Sequence, residues 1–550
     1  MARTSAWRKL RQVVQVVRIS QRSGESPREA AERLLDRRRV LKAAGLAAAA
    51  GALAPYAKAF EPPAKPQMVK ANGEKVVVVG AGIAGLHCAY RLRQAGVDVV
   101  VYEAARRIGG RNLTDRKTFG PQHCELGGEL IDSSHLTMRS LAGELEIDLL
   151  DYYDDDPDLH EMIGFIDGQR LTMEEMFDEF LPIATAMDAS WAELTDPDGD
   201  VTCLLPNGAE ALDRMTIAQW LDQSAAAPAS SKARKFLEVA YVAEFGLEAD
   251  NSSALNMLAM LVGCLDGRLP EDKAWNVFGA SDERWHAADG NDHYSHRLAD
   301  RVGRDRIHLG ERLMRARTCA DGRVELTFDG ERGSSRVCAD RAVFALPFTT
   351  LRLVDLQGVE LSPTKRRAIA ELGMGKNAKM MTGYRERVWR THGVSGILLS
   401  DLDLQCAWDT SRLQVGTNGI LTHFSGGDRA AKIGDLKLAE HRRLFLDDIE
   451  KVYPGTKAAA TEQIVRFDWP RYALTKGSYS AYLPGQWTTL RGSEGTAEGP
   501  LHFCGEHTSP EFQGFMEGAA ESGLRAAREV ASALGVRIQE PAPPAVPANS

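Results

Sequence analysis

Lys75-Val-Val-Val-Val-Gly-Ala-Gly-Ile-Ala-Gly-Leu86 decides how this chain folds. An apolar run breaks into three glycines and resumes with helical spacing, which reads as strand, tight turn and helix. Gly80 allows the turn. Gly82 removes the side chain that would hold a pyrophosphate off the backbone, and Gly85 lets the helix lie close to the strand. The N–H groups and positive end of that helix, opened by Ile83 and Ala84, would face the phosphates. Such turns also occur where nothing binds, so context matters. Here a second run, Asp98-Val-Val-Val-Tyr-Glu103, ends in an acid about twenty residues on, the place of a carboxylate that takes ribose hydroxyls. Glu103, followed by Ala104, completes a predicted dinucleotide site.

Outward from this stretch, 550 residues at 44% hydrophobic give ample material for a large core, and single cores stop growing before this length, so two domains are expected. A net charge of -9 argues against a general nucleic-acid binder, which needs a basic face. No stretch is long and apolar enough to span a bilayer. Arg37-Arg38-Arg39-Val40-Leu41-Lys42 leads into a small apolar run, Ala43 to Leu53, and Ala57-Lys58-Ala59 offers the small residues a signal peptidase needs. This resembles a twin-arginine export signal over residues 1–59, which implies the twin-arginine machinery as a partner and a periplasmic or extracellular destination. The alternative is an Arg-rich amphipathic helix that stays on the protein. The eight cysteines are scattered, without a C-x-x-C pair or a histidine cluster at ligand spacing, so no metal site is expected and most cysteines read as buried small hydrophobes.

Past Glu103 comes Arg106-Arg107-Ile-Gly-Gly-Arg111, then Glu125-Leu-Gly-Gly-Glu-Leu-Ile131. On these motifs the chain resembles the flavin-containing amine oxidases, the superfamily of monoamine, polyamine and L-amino acid oxidases. The resemblance implies that Arg107, Gly110 and Arg111 run along the cofactor, with Arg111 offering planar, permanently charged donors to phosphate or flavin. It also places Gly127, Gly128 and Glu129 close to the flavin ring. A solvated arginine and an ordinary bend are the plainer readings. The resemblance runs from residue 74 to 536 and implies an α/β fold. A discontinuous FAD-binding Rossmann-like domain, glutathione-reductase-like, takes residues 70–135, 285–347 and 491–537. An α+β substrate domain containing a mixed sheet takes 136–284, expected to be helical, and 348–490. Residues 538–550 read as a disordered proline-rich tail.

Candidate helices lie around 136–145, 173–189, 217–223, 231–245 and 253–264, and candidate strands at 380–384 and 419–424. The acidic run Asp151-Tyr-Tyr-Asp-Asp-Asp-Pro-Asp158 reads as a solvated loop, with steering of a cationic substrate as the weaker alternative. By the same resemblance, Leu313 matches the position whose backbone holds the adenine. Lys379, in Gly373-Met-Gly-Lys-Asn-Ala-Lys-Met380, matches a lysine that hydrogen-bonds a water at flavin N5 and assists reoxidation by dioxygen, with Lys376 as the surface counterpart. In Asp468-Trp-Pro-Arg-Tyr-Ala-Leu-Thr-Lys-Gly-Ser-Tyr-Ser480, Trp469 would pack beside the flavin and Tyr479 would form one wall of an aromatic cage. Monoamine oxidases attach their flavin through a cysteine just before this tyrosine. Ser478 stands there, which implies noncovalent FAD.

Leu501-His-Phe-Cys-Gly-Glu-His-Thr508 and Phe512-Gln-Gly-Phe-Met-Glu-Gly-Ala519 complete the pattern. Gly505 and Glu506 match a partner for the ribityl or pyrophosphate region. Gly514 leads into a helix from Met516 through Ala519 that aims its amino end at the flavin N1–O2 edge, where negative charge develops. Phe515 falls at the second cage wall, commonly tyrosine. The implied activity is amine oxidation: hydride transfer to flavin N5, imine hydrolysis, and reduction of dioxygen to hydrogen peroxide. Leu130 stands where many L-amino acid oxidases carry a carboxylate-clamping arginine, which favours a simple amine, and a cationic one if Glu129 faces the cavity. An L-amino acid oxidase, a flavin dehydrogenase or desaturase with a protein acceptor, and a flavoprotein with structural FAD stay open. The oligomeric state is not set by the sequence, and a homodimer is compatible with it.

Overall fold

The computed structural model describes residues 73–197, 199–224, 231–261 and 281–544. The expected export signal, the end of the candidate helix at 253–264 and residues 545–550 of the expected tail lie outside the described residues.

The quoted stretch forms strand β1 (Lys75–Val79) and helix α1 (Ile83–Gln94). Strand β2 (Asp98–Glu103) pairs beside it, followed in the chain by β3 (Ile307–Leu309), β4 (Arg341–Phe344), β5 (Leu501–Phe503) and helix α2 (Met516–Ala533). The five strands make one sheet in the order β5-β4-β1-β2-β3, every pair parallel. An all-parallel sheet needs cover on both faces, which explains the unbroken valines. Val76, Val78, Val99 and Val101 pack among residues of α1 and α2, whereas Val77 and Val79 pack against a four-stranded sheet that includes Arg312–Thr318 and Val324–Gly330. Gly80 has φ +110°, and a Cβ there would fall 2.6 Å from the Ala345 carbonyl oxygen. A Cβ on Gly85 would lie 2.0 Å from the Gly80 carbonyl oxygen, so glycine at both positions brings the helix down onto the turn.

A seven-stranded sheet forms the second body, running from Ala460–Asp468 through Asn377–Tyr384, Gly419–Gly426, Cys406–Asp409 and Val394–Ser400 to His160–Ile166 and Gln169–Thr172. It is mixed: Val394–Ser400 pairs parallel with His160–Ile166 and the other pairs are antiparallel. Helices Met173–Ala192, Ile217–Ser224, Ser231–Phe245 and Ala254–Leu261 pack on one face, and Leu438–Val452 on the other. The segment expected to be helical therefore also supplies a hairpin, because an apolar run as short as Met162–Ile166 carries no period that separates strand from helix. Helix Leu136–Glu144 packs on the nucleotide side, with Met138 and Leu141 in the core around α1.

Alternation along Asn377–Tyr384 sets the aim of its side chains. Met380 and Tyr384 enter the core under Leu438–Val452, while Met381 meets Phe119, Cys124 and Leu126, and Lys379 shares that second face. Residues 538–544 are docked, unlike the expected tail: Ile538 packs on the α1 core, Glu540 accepts from Arg528 at 3.0 Å, and the Ala542 carbonyl accepts from Ser140. No helix among the described residues is long and apolar enough to cross a membrane. The seven described cysteines are all free, and Cys88, Cys124, Cys406 and Cys504 are buried.

Candidate active site

One continuous cavity runs from the β1–α1 turn to the face of the seven-stranded sheet, and every residue assigned from the sequence to cofactor or substrate lines it except Gly85, which packs behind the turn. At one end are Gly80, Gly82, Ile83 and Ala84. Gly82 caps α1 without a side chain, and a Cβ built on it would meet nothing closer than 4.0 Å. The first N–H groups of α1 thus open onto free space, a cradle that fits a pyrophosphate. Glu103, at the end of β2, accepts from the backbone N–H of Ala81 at 2.7 Å and of Ala105 at 2.8 Å, which fixes its carboxyl at the cavity edge beside Ala104. Burial pushes that carboxyl above its usual range against the pull of these N–H groups. Arg107 folds back on its own loop, donating to the carbonyls of Ile108 and Gly110. Leu313 lines the same end.

In the middle, Arg111 and Glu506 are partners. Arg111 Nη1 donates to Glu506 Oε1 at 2.6 Å and to the Ser478 carbonyl at 2.9 Å. Glu506 also accepts from Ser480 Oγ at 2.7 Å, the Ser480 N–H at 3.1 Å and the Gly514 N–H at 2.8 Å. Burial opposes its ionisation, but Arg111 and these donors hold its carboxyl below the usual range. The sequence assigned both residues directly to the cofactor. The structure uses them first to tie the Gly505 strand end, the Ser478–Ser480 loop and the entry to α2 into one wall. The bare backbone at Gly127 has a similar cause: a Cβ there would fall 1.9 Å from the Arg111 carbonyl oxygen. At Gly128 a Cβ would meet the side chain of Met516, which itself accepts from Asn112 Nδ2 at 3.3 Å.

The far end is aromatic. Trp469, buried, donates from Nε1 to the Leu126 carbonyl at 2.8 Å, and its ring lies 4.3 Å from that of Phe467. The Tyr479 hydroxyl donates to the Glu244 carbonyl, while Gly514 lies against the Tyr479 ring. Phe515 caps α2 and stands edge-on to His135 at 5.2 Å; Met516 and Ala519 continue that wall. Ser478 Oγ donates to Asn377 Oδ1 at 2.5 Å, and no cysteine or histidine among the described residues lines the cavity.

Lys379 is the buried lysine, and Lys376 lies at the surface, 3.7 Å from Asp428. Lys379 Nζ donates to Glu129 Oε2 at 2.7 Å, the Gly127 carbonyl at 2.8 Å and the Glu125 carbonyl at 3.1 Å. An ammonium has three donors, so all are committed. Glu129 accepts further from Trp408 Nε1 at 2.8 Å and from Thr410 Oγ1. Burial opposes its charge, yet Lys379 and these donors hold the carboxyl below the usual range. Glu129 lines the cavity, but its charge belongs to Lys379.

Sequence reading missed Trp408, Thr410 and the cavity-lining Glu283, Asn377 and Phe424. Only the alternation around Cys406–Asp409 could have flagged Trp408. The acidic run is partly neutralised, Asp151 by Arg284 and Asp155 by Arg390 and Arg412. No metal site was expected, yet the fold brings His123, Glu125 and His286 within 4.8 Å of one another. Glu125 already accepts from Thr114 Oγ1 at 2.8 Å and the Asn291 N–H at 2.8 Å, and His286 Nε2 lies 3.1 Å away, so the group supports the loop beneath Lys379.

A phosphate cradle, a ribose acid and an aromatic slot in one continuous cavity fit a flavin dinucleotide. A family model described as flavin containing amine oxidoreductase matches residues 83–531. A flavin-containing amine oxidase of Oncorhynchus mykiss is 25% identical over 477 residues, covering 85% of this chain and 88% of that protein. An L-amino acid dehydrogenase of Synechocystis is 24% identical over 481 residues, covering 83% of this chain and 95% of that protein. Cyclohexylamine oxidase from Brevibacterium oxydans shares the fold, with a TM-score of 0.71 at 24% identity, over 84% of this chain and all of that one.

Proposed function

This chain belongs to the flavin-containing amine oxidoreductase family, and from that premise we propose that it oxidises a small-molecule amine at its C–N bond with dioxygen as the final acceptor. Family membership makes it an FAD-dependent oxidoreductase acting on amines, and Ser478, standing where a linking cysteine would be, supports FAD held noncovalently. The observation that carries the finer reading is the continuity of the phosphate cradle with a slot walled by Tyr479, Phe515, Trp469 and Trp408.

FAD held in this cavity would supply the two-electron chemistry, with the amine's α-carbon as hydride donor and dioxygen, reduced to hydrogen peroxide, as final acceptor. The chain's own residues do simpler work. Gly80–Ala84 and Glu103 would hold the phosphates and ribose, and Leu313 the adenine end. The rings of Tyr479 and Phe515 exclude water and orient the amine, and an apolar slot favours its neutral form. The amino end of α2 places its positive dipole beside Met516, where it supports negative charge. Lys379 fixes the Gly127–Glu129 segment. To hold a water as well, it would exchange its longest bond, the one to the Glu125 carbonyl. The imine product then hydrolyses to a carbonyl compound and ammonia.

Peroxide release measured on pairs of substrates, each L-amino acid beside its decarboxylated amine, tests this reading, and turnover of the amino acids alone would overturn it. A second reading, a dehydrogenase with another acceptor, is favoured by the L-amino acid dehydrogenase among the relatives. Anaerobic bleaching followed by air separates the two, since only an oxidase recovers its colour quickly. Export through the twin-arginine route completes the proposal on the strength of Arg37-Arg38-Arg39 and the apolar run behind it. Cell fractionation with Arg38 and Arg39 changed to lysine tests it; an unchanged distribution would remove it.

A further inference from the structure

Glu283 lines the cavity that also holds Tyr479 and Phe515, and its carboxyl forms no hydrogen bond or ion pair with a described residue. The other charges short of the nucleotide end are settled: Lys379 and Glu129 neutralise each other, as do Arg111 and Glu506 in the middle of the cavity. Glu311 and Arg312 sit beside Leu313 at the nucleotide end. Glu283 is thus the unpaired charge-bearing group at the aromatic end among the described residues.

Its placement is imposed by the fold. Glu283 has φ +38°, in the left-handed region a glutamate rarely adopts, and strain of this kind persists only where the surroundings over-determine it. Its N–H donates to Asp132 Oδ1 at 3.0 Å, and Asp132 Oδ2 accepts from Ser281. The surroundings are anionic as well as apolar: burial first, then the carboxylates of Asp132 and Glu244, push the Glu283 carboxyl well above its usual range. Glu244 is also the residue whose carbonyl accepts the Tyr479 hydroxyl, so this acidic corner adjoins the aromatic wall.

We propose that Glu283 is the specificity residue, and that the preferred substrate is a dication: an amine that reacts at one end and carries a second ammonium or guanidinium held by Glu283 at the other. This rests on the amine-oxidase reading and narrows it. A cation at this corner offsets burial and like-charge repulsion together. A substrate carboxylate would add another negative charge there, and no cation among the described residues is free at this end to receive it. The two nitrogens of a diamine meet opposite surroundings, aromatic walls for the one that must be neutral to react and a carboxylate for the one that stays charged.

The test uses the purified holoenzyme and straight-chain alkylamines beside α,ω-diamines of equal length, read as peroxide release. The diamine should exceed the alkylamine in kcat/KM by about tenfold or more, the equivalent of 1.4 kcal/mol. Glu283→Gln should lower that ratio by at least about tenfold, and Glu283→Asp should restore part of it. A ratio near one in the native protein, or one that Glu283→Gln leaves alone, overturns the proposal. If the Gln variant fails to fold, binding to the native holoenzyme decides. A bis-quaternary alkane should perturb the flavin spectrum at lower concentration than its mono-quaternary counterpart, and equal concentrations would sink the idea. Because quaternary ions are not oxidised, this binding result stands even where no amine bleaches the flavin, an outcome that would instead overturn the amine-oxidase reading.

Discussion

Lys379 Nζ lies 2.7 Å from Glu129 Oε2 inside the protein, with Trp408 and Thr410 on the other carboxylate oxygen. Both members of the pair are buried, so neither charge has water to fall back on. Changing Lys379 to Met removes one partner and leaves Glu129 uncompensated, a change that costs about 3–5 kcal/mol for a buried pair. The variant should unfold at a markedly lower temperature, and Lys379→Met combined with Glu129→Gln should regain much of the loss. If Lys379 also holds a water for reoxidation, the double variant, although stable, should reoxidise slowly in stopped-flow. Reoxidation at the native rate would confine Lys379 to a structural part.

Arg111 and Glu506 make the second such pair, 395 residues apart in sequence. Glu506→Gln should reduce stability by about 3 kcal/mol, the low end for a broken buried pair, since Arg111 is partly exposed. It should also lower the flavin-to-protein absorbance ratio, because an amide leaves one acceptor oxygen for the donors of Arg111, Ser480 and Gly514 that the carboxylate served with two. The pH dependence has a defined sign. The Glu506 and Glu129 carboxyls sit below the ordinary value of 4.5 in the folded state. The unfolded chain therefore takes up protons first, and the stabilisation, complete above pH 4.5, is lost as pH falls through the folded values. Urea unfolding of native protein and Glu506→Gln across this acid range should show a shallower slope in the variant; parallel curves would contradict the assignment.

Local signals were legible in the sequence where chemistry and chain order coincide. The Gly80–Gly85 turn announces itself because strand, glycines, helix and acid all fall within thirty residues, and the structure finds them in that order. Lys379 could be told from Lys376 only by strand alternation, which turns it toward Leu126 while Lys376 precedes the strand. The glycines at 127 and 128 were recognised, but their cause was not: the crowding comes from Arg111 and Met516, which the fold delivers from elsewhere. Trp408 carries no local mark because its partner Glu129 is 279 residues away. Glu283 was equally silent, since a lone glutamate before an arginine looks like surface until the cavity closes around it.

Acid precipitation checks the manner in which the flavin is held. Ser478 stands where a cysteine would make the link, its hydroxyl is taken up by Asn377, and the described cavity wall has no thiol or imidazole. The yellow colour should leave with the supernatant, and a coloured pellet would contradict noncovalent attachment. Introducing the thiol through Ser478→Cys also breaks the bond to Asn377, so that variant should lose flavin more readily than the native protein unless a covalent link forms.

Two glycines make a matched pair for testing how tightly the cavity wall is built. At Gly127 an added Cβ would stand 1.9 Å from the Arg111 carbonyl oxygen and 2.8 Å from its carbon, and both are backbone atoms that cannot swing aside. Gly127→Ala should therefore push apart the two loops that Lys379 and Arg111 hold together, with loss of flavin and a cost of about 1–3 kcal/mol for forced overpacking. Gly143 sits within helix Leu136–Glu144 with nothing inside 4 Å of its added Cβ. Gly143→Ala should raise stability by about 0.4–1 kcal/mol, because alanine loses less freedom on folding than glycine in a helix. Thermal melts and flavin absorbance of the two variants side by side give the answer. Equal behaviour would show that the approach of Gly127 to Arg111 is not the constraint on this wall, whereas opposite signs would show that backbone contact there, rather than glycine content, is what shapes the flavin slot.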